Sequence, residues 1–186
     1  GRGRLTPRAP DVLVLELCVN LLEPGGGRLA IVLPYQILSG PQTKFIREWL
    51  LRETQIVAVI DLPPETFQPH TGTKTSLVVV RRRRERVAGT AGDQDDPIFM
   101  SIPRWIGHDR RGNPLYKRDP RGQATDDILT DFDSVEAARG AFQSGEAPTT
   151  IHDLSFVVDA RSVLRDPLLR LNALYHRPSP ARHALA

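Results

Sequence analysis

The chain has 186 residues, 25 Lys and Arg against 22 Asp and Glu, and 40% hydrophobic but only 6% aromatic residues. This suits one globular domain, or one and a fraction, with a core of Leu, Val, Ile and Ala. No apolar run reaches the roughly 18 to 20 residues that span a bilayer, and the start GRGRLTPRAP has no apolar signal core, so a cytoplasmic location is expected. A single cysteine, Cys18, excludes an internal disulfide, no Cys/His cluster has zinc spacing, and a net charge of +3 bears on nucleic acid only where it is clustered.

Asp11 to Glu23, DVLVLELCVNLLE, is apolar except at Asp11, Glu16, Asn20 and Glu23, and the last three make one narrow polar stripe at helical spacing. So broad an apolar helix must lie against a sheet or under other elements, with Cys18 as an inert core residue. Pro24 with Gly25, Gly26 and Gly27 ends it. Leu29 to Leu33 then reads as a strand buried on both faces, as in parallel sheets. Ser39 as cap and Pro41 in the first turn open a helix, Lys44 to Glu53. Phe45, Ile46, Trp49 and Leu50 form its apolar face; Lys44, Arg47, Glu48 and Arg52 form its wet one. QIVAVIDL is again a strand, so residues 28 to 62 read as a right-handed βαβ unit.

The loop PPETFQPHTGT leads to a third strand, Ser76 to Val80. Leu62 to Thr75 is too short for a crossover helix, so this strand is expected antiparallel to the second. RRRRERVAGTAGDQDD reads as a solvated connection, PIFMSI as a strand, and Arg111-Gly112-Asn113-Pro114 as a hairpin tip. SVEAARGAFQSG is a helix ending at Gly145, and SFVVDA a short strand before a helical or extended tail. His70, His152, His176 and His183 are scattered, without partner spacing for a metal or a nucleophile.

The series ELCVNLLEPGGGRLAIVLP, FIREWLLRE and IVAVIDLPPETFQPHTGTKTSLVVVRR resembles the C-terminal half of the catalytic domain of adenine-specific (N6) DNA methyltransferases. It is most similar to the modification subunits of type I restriction-modification systems and related fused restriction enzymes. The runs that carry the resemblance are Pro24 to Pro34, Leu62 to Phe67 and Thr71 to Ser76. IFMSIPRWIGHDRRGNPL looks like that family's later hairpin. LRDPLLRLNALYHRP is similar to the segment that leads into a DNA target-recognition domain, although Asn172 and His176 depart from its pattern.

The resemblance implies an α/β fold: the second half of a Rossmann-like S-adenosylmethionine-dependent methyltransferase sheet with an antiparallel last strand, followed by an α+β extension. It divides the chain into a half-domain (1–86), a flexible loop (87–96), a hairpin and helix extension (97–150) and a connector toward DNA recognition (151–186). The parent enzyme would use S-adenosylmethionine. Its partners would be double-stranded DNA, the missing N-terminal half of the methyltransferase domain and a DNA-specificity subunit or domain, with no membrane. The absent initiator Met agrees with a chain cut from something longer.

Methyl transfer to the adenine amine needs a cofactor held by a Gly-rich turn after the first strand, and an Asp/Asn/Ser-Pro-Pro-aromatic loop whose oxygens meet the amine. Neither is present, so no catalytic, cofactor-binding or metal residue is assigned. No cofactor is expected to bind tightly, and the isolated chain is expected to be inactive. Gly25 to Gly27 lie between helix and strand, the reverse of a nucleotide-binding loop. Asp61-Leu62-Pro63-Pro64-Glu65 mimics the catalytic tetrapeptide only superficially. Phe67 is the candidate for contact with an extruded base, against the alternative that it plugs the sheet edge. Thr71, Thr73 and Lys74 are candidates for DNA phosphates, or simply for a turn and strand start. Arg81, Arg82, Arg83 and Arg84, with Arg110 and Arg111 of the hairpin, complete the backbone candidates, against a solvated strand end. Tyr35 falls at the strand edge where α/β sheets bind ligands. Two other readings are a non-catalytic DNA-binding or subunit-interface module, and a Rossmann-like methyltransferase acting on RNA or a small molecule.

Overall fold

The computed structural model describes residues 9–85, 96–145 and 154–178. His152, His183, Arg86 and all but the last residue of the expected 87–96 loop lie outside the described residues. Helix α1 (Pro10–Asn20) starts on Pro10, whose fixed φ suits a first helical turn, and buries Leu15 and Val19. It does not bury its whole apolar surface: Leu13, Val14, Leu17 and Leu21 are exposed, and Cys18 is half-buried rather than in the core. The chain then doubles back so closely that a Cβ on Gly27 would lie 2.6 Å from the Glu23 backbone nitrogen. That approach requires glycine.

Strand β1 (Arg28–Pro34) runs into the short helix α2 (Tyr35–Ser39), a 3-10 turn (Pro41–Thr43) and helix α3 (Lys44–Glu53). Strands β2 (Thr54–Asp61) and β3 (Thr75–Arg82) follow, then β4 (Pro97–Ser101). A small hairpin, β5 (Tyr116–Arg118) with β6 (Ala124–Ile128), precedes helix α4 (Phe132–Gln143). The chain ends in β7 (Ser155–Asp159), α5 (Ala160–Arg165) and α6 (Ala173–His176). The main sheet has five strands in the order β1-β3-β2-β4-β7.

The short loop returns β3 antiparallel to β2, with Asp61 opposite Ser76. β3 also pairs antiparallel with β1. Thus β1 and β2 run parallel but are not neighbours; the helical crossover spans a gap that β3 fills. Among the described residues β1 is thus the outermost strand, and its second face is not covered as its apolar run suggested. Leu29, Ile31 and Leu33 pack into the core, while Val32 on the other face is 42% exposed. An apolar run alone does not distinguish a central strand from an edge strand with one covered face. Beyond residue 86 the sheet continues, with β4 parallel to β2 and β7 antiparallel to β4.

One core lies between the sheet and α1, α2, α3 and the tail, through Leu15, Leu38, Leu50, Val59, Val78 and Leu171. A smaller one lies under α4, where Val135 and Ala138 meet Ala58, Ile60 and Phe99. Arg47, expected on the wet face of α3, is 0% exposed. Its guanidinium donates to the carbonyls of Ile37 (2.6 Å), Gly40 (2.7 Å) and Leu168 (2.7 and 3.0 Å) and to the Thr43 hydroxyl (2.9 Å). The tail segment 166–172, remote in sequence, covers that part of the helix and makes it interior.

Among the described residues no helix is long and apolar enough to cross a membrane, and no group of His, Cys, Asp or Glu is arranged to hold a metal.

Candidate nucleic-acid interface

The C-terminal ends of β1 and β2 open onto one edge of the sheet. From β1 comes Tyr35, whose backbone N–H donates to the Lys74 carbonyl (2.9 Å). From β2 comes Asp61, a buried carboxylate that accepts from the Ser76 hydroxyl (2.7 Å) and from the Leu174 backbone N–H (2.8 Å). Asn172 donates through its amide to the Tyr35 hydroxyl. Burial, reinforced by the Asp61 carboxylate and opposed by the Asn172 amide, raises the Tyr35 phenol above its ordinary pKa, so it stays protonated at neutral pH.

The loop between β2 and β3 is a succession of tight turns. Thr66 N–H donates to Pro63 (3.0 Å), Gln68 N–H to Glu65 (2.9 Å) and Thr71 N–H to Phe67 (3.0 Å). Along this run of turns Phe67 stands 39% exposed. Thr71 and Thr73 are exposed with their hydroxyls 3.0 Å apart. Lys74 sits with its ammonium 4.2 Å from the Tyr35 ring centroid, a cation–π contact that aims its charge along the same edge.

The later hairpin reaches this loop. Arg110 Nε lies 3.2 Å from Glu65 Oε1, and a Cβ on Gly112 would sit 3.7 Å from Pro69. The tip is held by Asp109, which accepts from the Asn113 amide (3.0 Å) and from the backbone N–H groups of Asn113 (2.9 Å) and Arg111 (2.8 Å). These bonds, the Asn113 side chain first, keep the Asp109 carboxyl below its ordinary pKa. Phe67, Thr71, Thr73, Lys74, Arg110 and Arg111 thus share one edge.

Arg81 to Arg84 do not join them. Arg81 and Arg82 pair in register with Arg28 and Thr54 at the N-terminal ends of β1 and β2. Arg82 lies six residue steps along β3 from Ser76, roughly 20 Å. Three of the four are also engaged within the protein: Arg81 with the Gly25 carbonyl (3.1 Å), Arg82 with Glu53 (2.9 Å) and Arg83 with Asp96 (2.9 Å). Gly25 to Gly27 lie at this far end as well, bonded to the Arg82 backbone, and not at the C-terminal strand edge where ligands of open α/β sheets bind. The contributions of Asn172 and Leu174 were not legible from sequence: they lie 137 and 113 residues from their partners Tyr35 and Asp61, and no periodicity marks such pairs.

Comparison with curated proteins finds no match. Among solved structures, the fold superposes on a chain of a type I R-M system assembly with a TM-score of 0.60 at 20% identity, covering 98% of this chain and 38% of that one. A type I restriction-modification system methyltransferase subunit from Streptococcus thermophilus gives 0.58 at 20% identity, covering 92% and 31%. The type IIG restriction endonuclease BpuSI gives 0.51 at 17% identity, covering 96% and 17%. The chain therefore spans well under half the length of the structures it resembles. Residues 7–124 match the family model for N-6 DNA Methylase, and on that match, with the fold of type I modification subunits around it, the chain belongs to the N-6 DNA methylase family.

Proposed function

We propose that this chain forms the C-terminal half of the catalytic domain of a site-specific DNA adenine-N6 methyltransferase of a restriction-modification system, and that its share of the work is the DNA-facing edge. One observation carries the reading: the β2–β3 loop, Tyr35 with Lys74, and the hairpin tip converge on the C-terminal edge of β1 and β2, around an exposed Phe67. In this reading Phe67 stacks on the extruded adenine. Thr71, Thr73, Lys74, Arg110 and Arg111 position the phosphate backbone. Arg81 to Arg84 act at a separate stretch of phosphate or stay with their internal carboxylates.

S-adenosylmethionine is the methyl donor of the family. Its cradle and the loop that meets the amine are assigned to the N-terminal half, because neither of the sequence motifs that serve them occurs in this chain. That half has a place to dock: among the described residues one edge of β1 is unpaired, and the exposed Leu13, Val14, Leu17 and Leu21 of α1 are apolar. Unpaired edges and apolar faces of this kind are covered in finished proteins. A DNA-specificity subunit or domain completes the assembly.

The test has two arms. The isolated chain, incubated with labelled S-adenosylmethionine and duplex DNA, is expected to transfer no label; transfer would overturn this division of labour. In salt-dependent DNA binding, Lys74→Ala is expected to lower the slope of log K against log[salt] by about 1. Phe67→Ala is expected to weaken binding to DNA with an unpaired adenine by roughly tenfold. An unchanged slope and affinity would refute the assigned edge. The alternative of a non-catalytic interface module is favoured by the open β1 edge. It predicts that a co-expressed N-terminal half binds this chain without gaining methyl transfer.

A further inference from the structure

Tyr175 is 46% exposed, yet its ring is held like that of an interior residue. The Arg170 guanidinium stacks 3.6 Å from the ring centroid, and Arg170 Nη2 donates to the tyrosine hydroxyl at 2.8 Å. Arg170 is itself gripped in bidentate fashion by Asp166, with Nε to Oδ2 and Nη2 to Oδ1 both at 2.8 Å. Asp166 is buried and also accepts the Arg170 backbone N–H (2.8 Å). His176 meets the ring edge-on at 5.0 Å, and its Nε2 lies 2.7 Å from the Arg170 carbonyl. A carboxylate, a guanidinium and an imidazole thus fix a ring that contributes to neither core cluster.

The place matters as much as the rigidity. Leu174, the preceding residue and also exposed, is pinned to Asp61 at the end of β2. Asn172 is tied to Tyr35 at the end of β1. Helix α6, which carries Tyr175, is therefore anchored at the C-terminal ends of both β1 and β2, beside the Phe67 loop. Exposed Arg177 follows within the same stretch. A flat π surface backed by a cation, close to further cations, matches an unpaired nucleobase on a phosphate backbone better than an aliphatic protein side chain. Pre-fixing the ring removes the entropy cost of ordering it on binding.

We infer that Tyr175, buttressed by Arg170 and Asp166, is a second stacking platform on the DNA-facing edge, taking an unpaired base of DNA. The inference rests on the proposed DNA-binding role of that edge and adds a base-contacting residue from the tail. It is tested with the 186-residue chain by fluorescence anisotropy on three labelled oligonucleotides: a fully paired duplex, the same duplex with one bulged adenine, and the single strand. Tyr175→Ala is expected to weaken bulged and single-stranded DNA by roughly tenfold while leaving the paired duplex within about twofold. Tyr175→Phe keeps the ring and is expected to restore most of the loss. An equal loss on all three DNAs, or no loss on any, overturns the inference. If Phe67→Ala weakens bulged DNA and Tyr175→Ala does not, the proposed function stands and this addition falls. If the wild-type chain binds none of the three, both fall.

Discussion

Replacing Arg47 with alanine removes a cation that is 0% exposed and withdraws the donors from three backbone carbonyls, those of Ile37, Gly40 and Leu168. Burial lowers the guanidinium pKa to about 10, partly offset by Asp166, so it is still charged at neutral pH. Its stabilisation comes from carbonyl dipoles rather than from a directly bonded carboxylate. Each charge-assisted bond contributes about 1.5 to 3 kcal/mol, and the losses are not additive because the freed carbonyls partly rehydrate. The expected cost of Arg47→Ala is therefore about 3 to 5 kcal/mol, in the range for breaking a buried ionic group. Arg47→Lys keeps the charge but cannot reach three carbonyls in a fork, and is expected to cost about 2 kcal/mol.

Urea unfolding followed by circular dichroism reads the effect. With a slope of about 2 kcal/mol/M, the alanine variant should lose on the order of 2 M in midpoint. Hydrogen exchange locates it: the Leu171 amide, bonded to the Leu38 carbonyl (2.9 Å), should open early while the β2–β3 ladder stays protected. A midpoint within about 0.5 M of wild type, or equal stability of the lysine and arginine proteins, would refute this account of how the tail is held.

Three further outcomes are expected. Asp166 is held well below the ordinary carboxylate range, chiefly by its bonds to Arg170; since its folded pKa is depressed, it stabilises the chain fully above its unfolded value of about 4 and loses that contribution as pH falls through the folded one. Acid unfolding should therefore be steeper in wild type than in Asp166→Asn, and identical profiles would contradict the assignment. Asp61→Ala leaves the Leu174 N–H and the Ser76 hydroxyl without their acceptor and should cost about 2 kcal/mol, with faster exchange at Leu174 as its signature. Gly27→Ala places a Cβ 2.6 Å from a backbone nitrogen and should lower stability by about 1 to 3 kcal/mol; a thermal midpoint equal to wild type would show that the turn relaxes freely.

Local signals were read well from sequence where the cause is local. The apolar run Leu29 to Leu33, the turn glycines after α1, the short loop that forces β3 back along β2, and the hairpin tip at Arg111 to Pro114 all depend on neighbours a few residues away. What escaped depends on distant chain segments. Arg47 reads as solvent-facing because its own helix gives no hint that residues 166–172 will cover it. The candidate basic residues look like one set in sequence, yet strand direction sends Lys74, Arg110 and Arg111 to one end of the sheet and Arg81 to Arg84 to the other. The separation of β1 from β2 was likewise invisible, because the strand that lies between them is encoded after both.

That insertion has a consequence for how the chain acquires its shape during synthesis. Within this stretch β1 and β2 emerge in order, but neither is the other's neighbour; β3, the partner that lies between them, is made after both. The β1-β3-β2 part of the sheet therefore forms its ladders only after Arg82 has left the ribosome, starting with the short-range β2–β3 pair and adding β1 across a longer loop closure. Until then the edge of the apolar strand Leu29 to Leu33 that β3 will cover is open, and in this interval it is exposed to pairing with another copy of itself.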